Sequence, residues 1–194
     1  MFYRPADGHG LPHNPFNAIV TPRPIGWLST TGTMGDNLAP YSLFNAVAYS
    51  PPQVMFASTG VKDSLTNIRE TGVFCVNIVE EAMLHRMSES SAALPRDTDE
   101  FIFAGLPKTQ CTTIPCPRVT GTPAALECRV LQEVELKGRG NFLIIGEVTG
   151  IHLRDDCVVE GRFDVTRFHP VARMGYRDYA IVREVIEVLR PNER

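Results

Sequence analysis

No apolar run in this 194-residue chain approaches the roughly 20 residues of a membrane-spanning helix. Strong charge of either sign is also missing: 19 Lys and Arg against 22 Asp and Glu leave a formal charge of −3. So mild a balance gives no electrostatic footprint for nucleic acid. No Gly-x-Gly-x-x-Gly follows a strand-like segment, so a Rossmann dinucleotide site has no support. The opening MFYRPADGHGLPHNPF lacks a signal peptide's apolar stretch, and the expected location is cytoplasmic. Five cysteines make an odd set, in a compartment that disfavours disulfides. Cys111 and Cys116 flank four residues, yet no Cys or His pair at zinc spacing follows, so no metal site is expected. Cys75 and Cys128 fall inside apolar strands and read as packing residues. The histidines are scattered, with no Ser-His-Asp arrangement to infer, and His152 at a strand end reads as structural.

What the chain does have is short β-type segments punctuated by proline and glycine. No repeat or linker divides it, so residues 1–194 are read as one domain. Pro24 to Thr31 reads as a strand and Thr31 to Asn37 as a turn with two glycines. Leu38 to Tyr49 reads as a second strand interrupted by Pro40, which confines that position to an edge, a bulge or a strand start. Gln53 to Ser58 is a third strand. Asp63 to Thr71 is a short helix with Asp63 as N-cap, ended by Gly72. Val73 to Val79 is a buried strand, and Glu80 to Ser90 has helical spacing. Leu94 to Pro117 is a long excursion with a small helix near Asp99 to Ala104. Ala125 to Leu136 and Phe142 to Leu153 form a hairpin about KGRGN. The tail Tyr179 to Leu189 fits either a helix or an extended arm. Strands and helices do not alternate regularly, so a mainly β, closed antiparallel barrel with peripheral short helices is expected over a doubly wound sheet.

Chemistry concentrates between Thr21 and Asn67. Lys62, Asp63 and Ser64 place a cation and a hydroxyl at a helix start, a combination that suits a phosphate. The plainer reading is a helix start with one solvated lysine. Ser29 and Thr31 share one face of a strand and Thr30 takes the other, so either set could meet a flat, polar-edged ligand. Simple β-propensity of threonine explains them as well. Asn37, Ala39, Tyr41 and Ser42 form a second small and polar group beside the Pro40 kink. Asn45 interrupts an apolar strand and needs a partner if buried. Arg173, with Gly175 and Tyr176, could close over a ligand or form an ordinary turn.

In order along the chain these segments resemble the flavin reductase-like family of FMN-binding split-barrel proteins. The family includes flavoredoxins and reductase components of two-component monooxygenases. The resemblance rests on PRPIGWLST at 22–30, DNLAPYSLFNAVAYSPPQVMF at 36–56 and KDSLTNIRETGVFCVNIV at 62–79. It continues through DEFIFAGL at 99–106, ALECRV at 125–130, IIGEVTGIHL at 144–153 and HPVARMGY at 169–176. The resemblance implies a six-stranded antiparallel split barrel and a phosphate clamp at Lys62, Asp63 and Ser64. It implies flavin and ribityl contacts at Ser29, Thr30, Thr31, Asn37, Ala39, Tyr41, Ser42 and Asn45, with Ser58 before the clamp. It departs at R-x-GG-x-x-Y, where Tyr176 replaces the second glycine. It also implies FMN as cofactor, NAD(P)H as co-substrate, a homodimer, and a monooxygenase or electron-transfer protein as partner. The function expected is an NAD(P)H-dependent flavin reductase with no side chain required as acid or base. An FMN electron carrier, an oxidoreductase of another small molecule and a non-enzymatic flavin-binding module stay open.

Overall fold

The computed structural model describes residues 1–193. Seven strands form one antiparallel sheet: β1 (Gly26–Gly32), β2 (Gly35–Tyr41), β3 (Phe44–Tyr49), β4 (Pro52–Thr59), β5 (Val73–Ile78), β6 (Ala124–Glu135) and β7 (Asn141–Leu153). Their order is β2-β1-β5-β6-β7-β4-β3. Consecutive strands β2 and β3 therefore lie at opposite ends of the hydrogen-bonded order, joined only through Ser42 and Leu43. Two residues span too little for an open sheet, since each covers at most about 3.6 Å. The sheet must curl until its edges meet, which makes a barrel split along that seam. Phe44 fills the seam so closely that a Cβ on Gly26 would lie 2.7 Å from its ring.

The seven strands correct the expected six. The expected strand Leu38 to Tyr49 is in fact two, because the chain turns at Ser42 and Leu43. Pro40 sits on β2, an edge strand, where its missing N–H costs no ladder bond. The expected turn from Thr31 to Asn37 shrinks to Thr33 and Met34, because Gly32 and Gly35 pair across a two-residue hairpin. Gly35 adopts φ +103°, which favours glycine.

Helix α1 (Asp63–Thr71) begins and ends where the sequence places it, with Gly72 left-handed at its C-terminus. Its N-cap, however, is Lys62, and Asp63 is the first helical residue. Short helices α2 (Leu84–Glu89) and α3 (Glu100–Phe103) lie outside the sheet. Asp99 caps α3 by accepting from the Phe101 N–H at 2.9 Å. The chain after Ile181 carries no α-helix among the described residues, in keeping with the extended-arm reading.

Two larger apolar clusters hold these elements, beside a third, smaller one around Cys75. Leu28, Phe44, Phe56, Leu65, Phe74, Val76 and Ile144 form one with α1. Trp27, Leu38, Met87, Phe101, Val119 and Val171 form the other, under α2 and α3. Strand β1 serves both, with Leu28 in one and Trp27 in the other, so it is buried on both faces. The Trp27 indole N–H still finds a partner, donating to Ser90 Oγ at 2.9 Å. No helix among the described residues is long and apolar enough to cross a membrane.

Candidate functional site: a cleft at the N-terminus of α1

A cleft of about 400 Å³ opens between β2, the start of α1 and the segment following α2. That lies within the usual range of small-molecule sites. Asn37, Ala39, Pro40 and Tyr41 line one side, Lys62, Asp63 and Ser64 another, and Ser90 to Leu94 with Glu100 a third.

The walls follow from local structure. Alternation along edge strand β2 gives Asn37, Ala39 and Tyr41 one common face. The first turn of α1 points backbone N–H groups outward, and only from Thr66 onward do they find an acceptor, Lys62 O at 3.0 Å. The positive end of the helix and the Lys62 ammonium thus meet at one spot. Lys62 Nζ also lies 5.9 Å above the Tyr41 ring. Asp63 turns to Arg96, whose Nε is 3.3 Å from its carboxylate, so it leaves Lys62 free of a partner acid among the described residues.

A buried polar chain supports this rim. The Ser64 hydroxyl donates to Asn37 Oδ1 at 2.6 Å, and Asn67 Nδ2 donates to Thr30 Oγ1 at 3.3 Å and to Gly35 O at 3.2 Å. The Tyr41 hydroxyl is buried without a hydrogen-bond partner. Burial pushes its pKa up, and the neighbouring Ser64 and Ser58 hydroxyls oppose that. An unsatisfied buried hydroxyl beside a cleft costs on the order of 1–3 kcal/mol unless something in the cleft meets it. Glu100 reaches in from α3 and accepts from the Leu38 N–H at 3.0 Å. Burial raises its pKa, only partly offset by the Leu38 N–H and the Asn37 side chain.

The structure therefore gathers six of the sequence-derived residues at the cleft: Asn37, Ala39, Tyr41, Lys62, Asp63 and Ser64. Ser42 lines an adjoining cavity with Pro40 and Arg173. Thr30 lies beneath the cleft floor. Ser29 faces away, donating to Pro117 O at 2.6 Å and accepting from Asn77 at 3.1 Å. Thr31 is half-buried and outside the cleft lining. Asn45 is exposed on β3 and accepts from the next residue's N–H, so it needs no buried partner. Ser58 is buried and donates to Gly60 O at 2.9 Å. Sequence reasoning missed Glu100 and Ser90 to Leu94. The only available signal was a run of small residues, SSAAL, after a helix, and such runs usually mark plain loops.

Arg173 sits 4.5 Å over the Tyr179 ring and donates to Tyr176 O, outside the cleft but lining the adjoining cavity. Tyr176 stands at φ +53°, a conformation that favours the glycine it replaces.

Residues 19–169 match the family model described as flavin reductase like domain. A protein of Deinococcus radiodurans is 39% identical over 187 residues, covering 89% of this chain and 82% of that protein. The structure of 2-nitrobenzoate 2-nitroreductase NbaA from Pseudomonas fluorescens superposes with a TM-score of 0.83 at 30% identity, covering 90% of this chain and 88% of that one. Nitrilotriacetate monooxygenase component B from Bacillus cereus superposes with a TM-score of 0.85 at 27% identity, over 93% of this chain and 100% of that one.

Proposed function

The chain belongs to the flavin reductase-like family, and from that premise we propose that it binds FMN in the cleft at α1 and reduces it with NADH or NADPH. The observation that carries the reading is the joining of Lys62, the free N–H groups of α1 and the unpartnered Tyr41 hydroxyl around one cleft. A phosphate monoester carries nearly two charges at neutral pH and needs just such donors. The residues present thus fit FMN.

FMN, when bound, supplies the hydride-accepting ring system. The chain's own residues do the rest. Lys62 and the start of α1 hold the phosphate. Ser64 and Asn37, fixed by their mutual hydrogen bond, keep that wall rigid. Tyr41 offers its hydroxyl to a polar atom in the cleft. Ser90 to Leu94 cover the opposite side and exclude water there. Glu100 closes the cleft beside Asn37 and is held there by the Leu38 N–H. A nicotinamide nucleotide has no glycine-rich motif of its own and enters through the same opening.

Rapid anaerobic mixing tests this. NADH or NADPH should bleach the visible flavin band of the FMN-loaded protein, and air should restore it. Bleaching by dithionite but by neither nucleotide over minutes would overturn the reductase reading in favour of an electron carrier.

A further inference from the structure

Away from the cleft, on the opposite face of β1 from Thr30, three cysteines converge. Cys75 on β5 and Cys116 are fully buried in one small cluster with Val73, Ile114 and Ala125, and Cys111 packs against it, half-buried. All are free thiols. The Cys111 N–H donates to Cys116 O at 2.9 Å, so the two backbones run side by side across the TTIP loop. The Cys116 N–H donates instead to Ile114 O at 2.9 Å, so the pair shares one bond, which still keeps the two Cα atoms within the roughly 7 Å a disulfide can span. The neighbouring Cys116 and Cys75 thiols favour the Cys111 thiolate and lower its pKa well below the ordinary thiol value. Burial and the nearby Glu127 carboxylate oppose the shift, while His152 assists it. The Cys116 thiol is correspondingly raised, and it lies 3.2 Å from Ser29 O.

We propose that this cluster is a thiol oxidation site, in which Cys111 reacts with a hydroperoxide and Cys116 resolves the product to a disulfide. Cys111 alone combines exposure with thiolate character among the three, the two properties that select a sulfur for oxidation. Its thiolate attacks the distal oxygen of the hydroperoxide. The O–O bond breaks, one proton is taken up, and a sulfenic acid and an alcohol form, the alcohol being water for hydrogen peroxide. The Cys116 sulfur then displaces the sulfenic oxygen. An S–S bond forms, the S–O bond breaks, and the hydroxyl leaves with the Cys116 proton as water. The two thiols lose two electrons in all, and the peroxide gains them.

Trypsin gives a direct readout, since Cys111 and Cys116 share peptide 109–118, Cys75 lies in 70–86 and Cys128 in 119–129. The full chain is reduced, desalted, treated with hydrogen peroxide, alkylated and digested. Peptide 109–118 should appear unalkylated and two hydrogens lighter, and dithiothreitol should restore both alkylation sites. Oxidation should run at least about 10-fold faster than at Cys128, which is buried and lacks thiolate character. In Cys116→Ser, Cys111 should accumulate as a sulfenic acid trapped by dimedone. If that variant does not fold, Cys111→Ser serves instead, and its Cys116 should stay reduced. Full alkylation of peptide 109–118 after peroxide, direct passage to a sulfinic acid, or a cross-link to peptide 70–86 in place of the internal disulfide would overturn the assignment.

Discussion

At the scale of single residues, function rests on groups whose neighbours are fixed by very different forces. Lys62 is an exposed cation anchored only by its place at the start of α1. Lys62→Ala should weaken FMN binding by about 1.5–3 kcal/mol while leaving riboflavin nearly unaffected, because the lost contact is charge-assisted and falls on the phosphate. Titration with both ligands checks this, and equal weakening would mean that Lys62 does not touch the phosphate. Tyr176 presents the opposite case, a side chain imposed on a backbone that suits glycine. A left-handed conformation costs a non-glycine residue on the order of 1–2 kcal/mol, and glycine's greater unfolded-state freedom returns part of that. Tyr176→Gly should therefore stabilise the fold by about 0.5–1 kcal/mol in urea denaturation. Tyr176→Ala keeps the strain and loses the edge contact with His13, whose ring centre lies 5.7 Å away, so it should give no gain. Both residues were legible in the sequence, one as a cation before a helix and one as a departure from a glycine pattern.

At the scale of elements, the β6–β7 hairpin is the longest pairing in the molecule, and a buried carboxylate ties a loop to it. Glu127, opposite Gly150, accepts from the Thr113 hydroxyl at 2.6 Å, the Thr112 N–H at 2.6 Å and the Thr113 N–H at 2.5 Å, and pairs with His152 Nε2 at 2.5 Å. Burial pushes its pKa up, but these donors more than compensate and hold it at about 2. A carboxylate lowered on folding stabilises above its unfolded pKa, near 4.3, and loses that contribution as pH falls toward its folded value. The contribution is about 3 kcal/mol near neutrality, fading between about pH 5 and pH 2. Stability measured by urea midpoint should fall steeply across that window. Glu127→Gln, less stable at neutral pH, should show a shallower fall there; an unchanged slope would discount Glu127 as its source. Sequence periodicity reveals both strands but not this tether, because Glu127 reads as an ordinary polar position in an alternating strand. Its burial comes from the 112–113 loop folding over it.

At the scale of the whole molecule, strand β3 and the C-terminal tail leave apolar surface that one barrel does not cover. Tyr49 on β3 is 94% exposed, and Val47, Ile186, Val188 and Leu189 are also exposed. Apolar area on an edge strand and an extended tail suits pairing with a second copy. We expect a homodimer, and sedimentation at micromolar concentration should give the mass of two chains. Replacing Tyr49 and Val47 together by Lys should shift the equilibrium toward monomer. A wild-type monomer with flavin bound would refute the expectation.

The sequence by itself determined whatever depends on near neighbours. The bounds of α1, the confinement of Pro40 to an edge, a bulge or a strand start, the β6–β7 hairpin and the phosphate-suited Lys62 and Ser64 all follow from caps, turns and side-chain period, which act over a few residues. The tertiary structure decided what depends on which distant segments meet. It split one expected strand into β2 and β3, since the turn at Ser42 and Leu43 is favoured only when the barrel closes on Phe44. It sent Ser29 to Pro117 and left Asn45 in solvent, because a strand's two faces are chemically equivalent until a partner covers one of them. It brought Glu100 and Ser90 to Leu94 to Asn37 across some sixty residues of chain. Contacts so distant in sequence leave no local pattern, and burial against the rest of the barrel selects them.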